Sequence, residues 1–416
     1  MAYETEKLNI SIPAPVREIF DVFSSAGAVA YAVGGAVRDS LLGREVHDWD
    51  VASPFRPEVT AELFASRGLK VIPTGIRHGT VTVLSHGMPV EVTAFRIDGS
   101  YSDSRHPDRV EFTDRVEEDL ARRDFTVNAM AYSPVRGLCD PWNGQADLKA
   151  GVIRCVGDPS TRFAEDALRI LRAFRFAAQL GFTIDDATRK AAAASERLSS
   201  ISVERIAAET EKILLSTRPA AYLSEAAECN VTAHIFPGVS LVDGDFSPLD
   251  LLPPDAPLRM GALLRRVGLR DAKTADEALK HLKLSNAFYR RAYAAAITPI
   301  PAPEERAVRL FLRETGNADA AIAAAAARGE PDARQVAELS AKISSEGGPV
   351  TMRTLAVNGK KLRDAGFPEG KPMGLLLSAL LEAVTADPTL NNEQTLLALA
   401  ADIYGKVGTD TTAKKK

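Results

Sequence analysis

Val33-Gly34-Gly35-Ala36-Val37-Arg38-Asp39, followed beyond Gly43 by His47-Asp48-Trp49-Asp50-Val51, decides how the first part of the chain is built. The apolar run Ala28–Val33 leads in as a strand, the glycine pair opens a short helix, and Gly43 stops it. A second strand is expected over Asp48–Ala52. Side chains alternate across a strand, so Asp48 and Asp50 share one face and Trp49 takes the other. Like charges held that close repel, and a cation between them relieves the cost. Oxygen donors with no Cys or His beside them suit a hard ion, Mg²⁺. The glycine pair at a helix N-terminus leaves backbone N–H groups for an anion. Taken singly, Gly-Gly is a turn and Asp-x-Asp a solvated strand end. Joined by one short helix, they indicate nucleotide chemistry.

Outward from this core, strands are expected over Gly79–Leu84 and Val90–Phe95, with Ser85-His86-Gly87-Met88-Pro89 as the hairpin turn between them. Glu91 lies in the second of these. It is either an edge-strand residue or a third acid of the metal site, and the neighbouring Asp-x-Asp strand favours the second. From Phe163 the pattern is helical almost to the end. The fold class is therefore α+β: a small mixed head followed by an elongated, all-helical remainder. The expected divisions are a head over 1–155, a helical neck over 156–245, a helical body and tail over 246–408 and a flexible basic end over 409–416. The Pro- and Asp-rich stretch 236–257 is the expected inter-domain linker.

Composition narrows the classes. With 45% hydrophobic and 25% charged residues the chain reads as an ordinary globular protein. No apolar run approaches bilayer length, and the first residues lack a signal-peptide core. No membrane partner is expected. Cys139, Cys155 and Cys229 match neither a disulfide framework nor a zinc site, which points to the cytoplasm. A net charge of −4 means that any nucleic-acid surface must be a local patch, such as Arg162–Arg175 or Arg259–Arg291. Ala413–Lys416 reads as a frayed end to which no function is given.

Phe163–Phe176 is expected as one amphipathic helix with Leu168, Leu171, Phe174 and Ala178 on its apolar side. Asp166, Arg169 and Arg172 step by three, each rotated by roughly 60° from the last. One reading is an intrahelical ion pair of small value. The other is recognition of a base. Adenine and cytosine each present an amino donor beside a ring-nitrogen acceptor, whereas guanine and uracil present a carbonyl beside an N–H. An Asp acceptor next to an Arg donor therefore matches A and C, and each mispaired group costs roughly 1–3 kcal/mol.

These stretches, with Glu118-Asp119-Leu120-x-Arg122-Arg123-Asp124-Phe125-Thr126-Val127-Asn128-Ala129 and Glu165-Asp166-x-x-Arg169, resemble the bacterial class II tRNA nucleotidyltransferases. Those are CCA-adding enzymes with a polymerase-β-like head. The resemblance runs from about residue 25 to about residue 215 and is looser beyond about residue 250. It implies template-independent addition of C and A to the 3′ end of tRNA from CTP and ATP, the primer hydroxyl attacking the α-phosphorus and pyrophosphate leaving. It implies that Asp48 and Asp50 hold two Mg²⁺ ions with Glu91 as third acid. Gly34, Gly35 and Arg38 would meet the triphosphate, Gly35 through its N–H. Arg123 and Asp124 would contact the sugar, and Asp166 and Arg169 would read the base. Arg172 and Arg175 would support the nucleotide, with a structural or tRNA-facing role for Arg175 nearly as well favoured. Val203-Glu204-Arg205-Ile206 with Glu209 matches a further family motif, read as helix-packing support.

The polar stretch from Arg96 to Pro107 resembles the loop that complete CCA-adding enzymes use in switching from C to A. The helical remainder would bind tRNA, with Val357–Arg363 and Gly370–Gly374 offering backbone–phosphate contacts or simple turns. The rivals are an A-adding enzyme, a bacterial poly(A) polymerase on the same head, and an RNA-binding relative without activity. The last would have lost a metal acid, and both aspartates are present. Thr74-Gly75-Ile76-Arg77-His78-Gly79-Thr80-Val81-Thr82-Val83 resembles the CCA-adding version rather than the polymerase. No oligomeric state is indicated.

Overall fold

The structure, a computed structural model, describes residues 10–76, 79–99, 110–239, 244–316 and 323–413. The distal part of the Arg96–Pro107 loop, Arg77 and His78, and Lys414–Lys416 lie outside the described residues. The chain divides into two compact units. One comprises 1–246 with 281–283, and the other comprises 247–280 with 284–416.

In the first unit the helix α1 (Ala14–Ser25) precedes β1 (Tyr31–Val33), α2 (Gly35–Leu41), β2 (Asp50–Ser53), α3 (Pro57–Ser66), β3 (Lys70–Gly75), β4 (Thr80–Ser85) and β5 (Met88–Ala94). A short hairpin of β6 (Arg96–Asp98) and β7 (Val110–Phe112) leads to α4 (Val116–Ala121). Then come β8 (Ala131–Ser133), β9 (Gly137–Cys139) and α5 (Gly144–Ala150). Seven strands form one sheet in the order β3-β4-β5-β2-β1-β8-β9, with only β2 and β5 parallel. A core of Val33, Ala52, Phe95, Val116, Leu120, Ala129, Ala131 and Val156 packs beneath its centre. His86 and Gly87, both at positive φ (49° and 81°), close the β4–β5 hairpin as a two-residue turn.

Two strands are shorter at their starts than the sequence suggests. The end of α1 takes up the Ala28 N–H, which donates to Phe23 C=O, so β1 begins only at Tyr31. The last rung of β1 against β2 is Val33 opposite Asp50, because the chain turns off at Gly34. Asp48 therefore sits in the segment leading into β2, not in the strand. The alternation nevertheless extends back to it, with Trp49 buried between exposed Asp48 and Asp50.

The expected single helix over Phe163–Phe176 is two helices. α6 (Pro159–Glu165) ends at Asp166, which is extended (φ −142°, ψ 104°), and α7 (Leu168–Leu180) starts afresh. Asp166 Oδ1 accepts from Leu168 N at 3.0 Å, the local bond by which aspartate competes with helix continuation. Asp166 therefore does not share a helical face with Arg169 and Arg172. α8 (Asp186–Ala193), α9 (Val203–Leu214) and α10 (Pro219–Glu228) complete the helical part of this unit, with α9 and α10 packed on α7. The remaining strand pairing there is parallel, between Val152–Ile153 and Thr183–Ile184.

The second unit is helical. Ala256–Arg266 and Asn286–Ile297 cross closely at Gly261, where a Cβ would lie 2.4 Å from that of Ala295. Towards the C-terminus, Leu362, Leu376, Leu380, Val384 and Leu396 build a separate apolar cluster. Asn358 caps the short helix Gly359–Asp364, and Gly370 at φ 92° precedes Lys371–Ala386.

Candidate active site

β5 is an interior strand, which removes the edge-strand explanation of Glu91. Its parallel register with β2 sets Glu91 directly beside Asp50. Both are exposed between buried neighbours, and Asp48 is exposed between exposed His47 and buried Trp49. Partial desolvation and then the Glu91 charge push the Asp50 pKa up, Arg123 opposes this, and Asp48 adds to the rise. Three carboxylates with one opposing guanidinium fit a divalent cation by charge and by donor type. As they stand, no three acidic, His or Cys side chains among the described residues converge closely enough to enclose an ion.

Gly34 joins this acid face to α2. Its backbone (φ 67°, ψ −127°) is open only to glycine, and a Cβ there would lie 2.9 Å from Arg123 Nη1. The first bond of α2 runs from Arg38 N to Gly34 O, so the amides of Gly35, Ala36 and Val37 stand at its open end. Arg123, laid across Gly34, donates through Nη2 to Asp119 Oδ2 at 3.2 Å. Asp119 is fully buried and also takes two bonds from Arg122, which hold its pKa below the usual range against burial.

A continuous polar chain extends from there. Arg38 makes a two-bond pair with Asp39 and donates through Nη1 to Asn128 Oδ1 at 2.7 Å. Asn128 Nδ2 donates to Asp124 Oδ1 at 3.2 Å. Asp124 Oδ2 accepts Arg172 Nε at 2.8 Å and Nη2 at 2.5 Å. Burial raises the Asp124 pKa, but Arg172 and Asn128 outweigh it and bring the carboxyl down to about 2. Its oxygens are thus already engaged by protein donors, including Phe125 N.

The side chains expected to read a base are held separately. Asp166 accepts from Arg205 Nη2 at 3.0 and 3.3 Å. Arg169 is buried and anchored by Glu165 Oε2 at 2.6 Å, Arg162 O at 3.2 Å and Arg122 O at 2.9 Å. No direct side-chain bond joins the two. Arg175 is buried against α9, donating to Glu209 at 2.8 Å and to Gln179 at 3.0 Å.

Asp119, Asn128, Glu165 and Arg205 hold the site together and had no assigned role of this kind from the sequence. Asn128 and Arg205 find their partners 90 and 39 residues away, which spacing along the chain does not reveal, whereas Asp119 and Glu165 pair with arginines three or four residues on. Asp119 and Asn128 fall within the Glu118–Ala129 stretch, Glu165 within Glu165-Asp166-x-x-Arg169 and Arg205 within Val203–Ile206, and those motifs were the available signal.

Residues 30–154 match the profile of the Poly A polymerase head domain, 181–241 the probable RNA and SrmB-binding site of polymerase A, and 261–400 the putative tRNA nucleotidyltransferase domain 2. The CCA-adding enzyme of Limosilactobacillus fermentum is 36% identical over 402 residues, covering 94% of this chain and 96% of its own. That of Lactiplantibacillus plantarum is 34% identical, with 92% and 95% covered. A crystal structure of the Bacillus stearothermophilus CCA-adding enzyme in complex with CTP is similar with a TM-score of 0.74 and 31% identity, over 96% of this chain and all of that one.

Proposed function

The chain belongs to the CCA-adding enzyme family, and from that membership we propose how one site adds C and then A to the 3′ end of tRNA from CTP and ATP. It is a nucleotidyltransferase. The family's chemistry uses divalent metal, and Mg²⁺ is our assignment, with two ions held by Asp48 and Asp50 and with Glu91 as third acid. The supporting observation is the acid face itself, where the β2–β5 register sets Glu91 beside Asp50 and where burial, then Glu91, and least of all Asp48 push the Asp50 pKa up. Ions bound there would lower the pKa of the primer hydroxyl and offset the charge of the leaving pyrophosphate.

The protein's own part is positioning and charge. Gly34 leaves the space that Arg123 occupies, so the guanidinium reaches the sugar and phosphate end of the nucleotide beside Asp50. The Gly35 amide and Arg38 face the triphosphate. Asp124 keeps Arg172 oriented and ionised beside it, and this ties the sugar end to the phosphate end through Asn128. Arg175, locked to Glu209, adds positive charge from behind. Asp166 and Arg169 supply an acceptor and a donor to the base edge. Arg205 fixes the first and Glu165 the second, so neither needs reordering when a base arrives. The helical second unit binds the tRNA. No helix among the described residues is long and apolar enough to cross a membrane. The three cysteines are free, which agrees with work in the cytoplasm.

The test uses tRNA transcripts ending before CCA, after C and after CC, each given single labelled nucleotides and sized. Ordered addition that stops at the terminal adenosine supports this reading. A long A tract supports poly(A) synthesis instead, and incorporation only after CC supports an A-adding enzyme.

A further inference from the structure

Three guanidinium groups from two distant parts of the chain meet on one aromatic ring. Phe176, on α7, is 6% exposed. The Cζ of Arg175 lies 3.5 Å from its centroid, that of Arg172 5.1 Å, and that of Arg38, from α2, 5.2 Å. Phe125 supports the ring edge-on at 5.8 Å. Each arginine also has its own carboxylate: Asp39 pairs with Arg38, Asp124 with Arg172 and Glu209 with Arg175. These pairs fix the far side of each guanidinium but leave three cations to crowd together, which is unfavourable on its own. The negative face of a phenyl ring offsets that repulsion without consuming hydrogen-bond donors.

We propose that Phe176 is a positioning residue for the reaction, a π platform that gathers Arg38, Arg172 and Arg175 into one polyanion-binding group for the nucleotide's phosphates. It has no polar atom and is buried beneath the guanidinium groups, so it acts through the arginines. A carboxylate in its place would add a fourth negative charge to the three already paired with these arginines and repel phosphate. A merely apolar residue would let the charges separate. The aromatic ring holds them together without taking up a hydrogen-bond donor from any of them. This inference rests on the reading above that these arginines meet the nucleotide.

The experiment replaces Phe176 in the full-length enzyme with phenylalanines carrying one, two and three ring fluorines. These keep the shape of the ring and drain its negative face stepwise. KM for CTP and for ATP, kcat and the melting temperature are measured, with competition by inorganic triphosphate as a probe of the phosphate subsite. Both KM values and the triphosphate inhibition constant should rise in step with fluorination, by roughly tenfold in total, while kcat and melting temperature change little. A flat series would show that Phe176 only fills space and would overturn the inference. Arg172→Ala, measured alongside, separates the two levels. If it raises KM while the fluorinated series stays flat, the nucleotide reading stands and the platform falls. If it leaves KM unchanged, both fall.

Discussion

Replacing Asp124 with asparagine removes one negative charge from the buried junction of the head strands and α7, with little change in shape. The residue is 7% exposed and receives four hydrogen bonds, two of them from Arg172. A carboxyl brought from its ordinary 3.8 down to about 2 favours the ionised folded form by roughly 2.5 kcal/mol. Removing one member of a fully buried ion pair costs about 3–5 kcal/mol. The Arg172 side chain keeps 31% of its surface exposed, so solvent recovers part of that, and we expect a loss of about 2–3 kcal/mol near neutral pH. The sign follows from the depressed pKa. The stabilisation is complete above the unfolded value and is lost as pH falls through the folded one. The gap between wild type and Asp124→Asn should therefore be constant from pH 8 to about 5 and close between about 4 and 2. Urea unfolding followed by tryptophan fluorescence measures it. The two tryptophans of the chain, Trp49 and Trp142, both lie in the first unit and report on it selectively. A gap under about 1 kcal/mol at pH 7, or one that persists undiminished at the acid end, would refute the account of Asp124 as the anchor of Arg172.

Three further outcomes follow from the same geometry. Asp50→Asn should abolish incorporation yet raise the melting temperature in chelator. The pKa of Asp50 is raised in the folded state, so its ionised form opposes folding; the gain should appear as pH rises through that raised value and vanish below 3.8, and a variant less stable than wild type at pH 7 would contradict it. Gly34→Ala imposes a backbone conformation open only to glycine and displaces Arg123 Nη1. We expect it to cost about 1–3 kcal/mol of stability and about 100-fold in kcat/KM, and wild-type kinetics would show that Arg123 need not lie across this turn. Arg205→Ala frees the Asp166 carboxylate, and single-nucleotide assays should then show UTP and GTP misincorporation rising roughly tenfold as the acceptor loses its fixed direction, whereas unchanged fidelity would mean that Arg205 serves packing alone.

Much of the molecule was legible before any coordinates. The glycine-opened helix, the acid-bearing strand, the hairpin turn at His86-Gly87 and the change to helix all rest on local rules: side-chain alternation, positive φ at glycine, and turn chemistry. Those rules act over a few residues, so one sequence carries them. What failed was local as well, where one short-range bond or turn overrode the periodic pattern. The end of α1 shortened β1, the turn at Gly34 ended the β1–β2 ladder before Asp48, and Asp166 used its carboxylate to break a helix that periodicity had drawn as continuous.

By itself the sequence determined which groups are available: two aspartates flanking a buried tryptophan, a glutamate in an apolar strand, and a run of arginines after Phe163. Only the tertiary structure decided which of them meet. Parallel pairing of β2 with β5 brings Glu91 to Asp50 across 41 positions, and packing of α9 on α7 hands Asp166 to Arg205 instead of Arg169. The physical reason is that charge interactions fall with distance in space, whereas the spacing of residues along a chain sets that distance only within a helix turn or a strand.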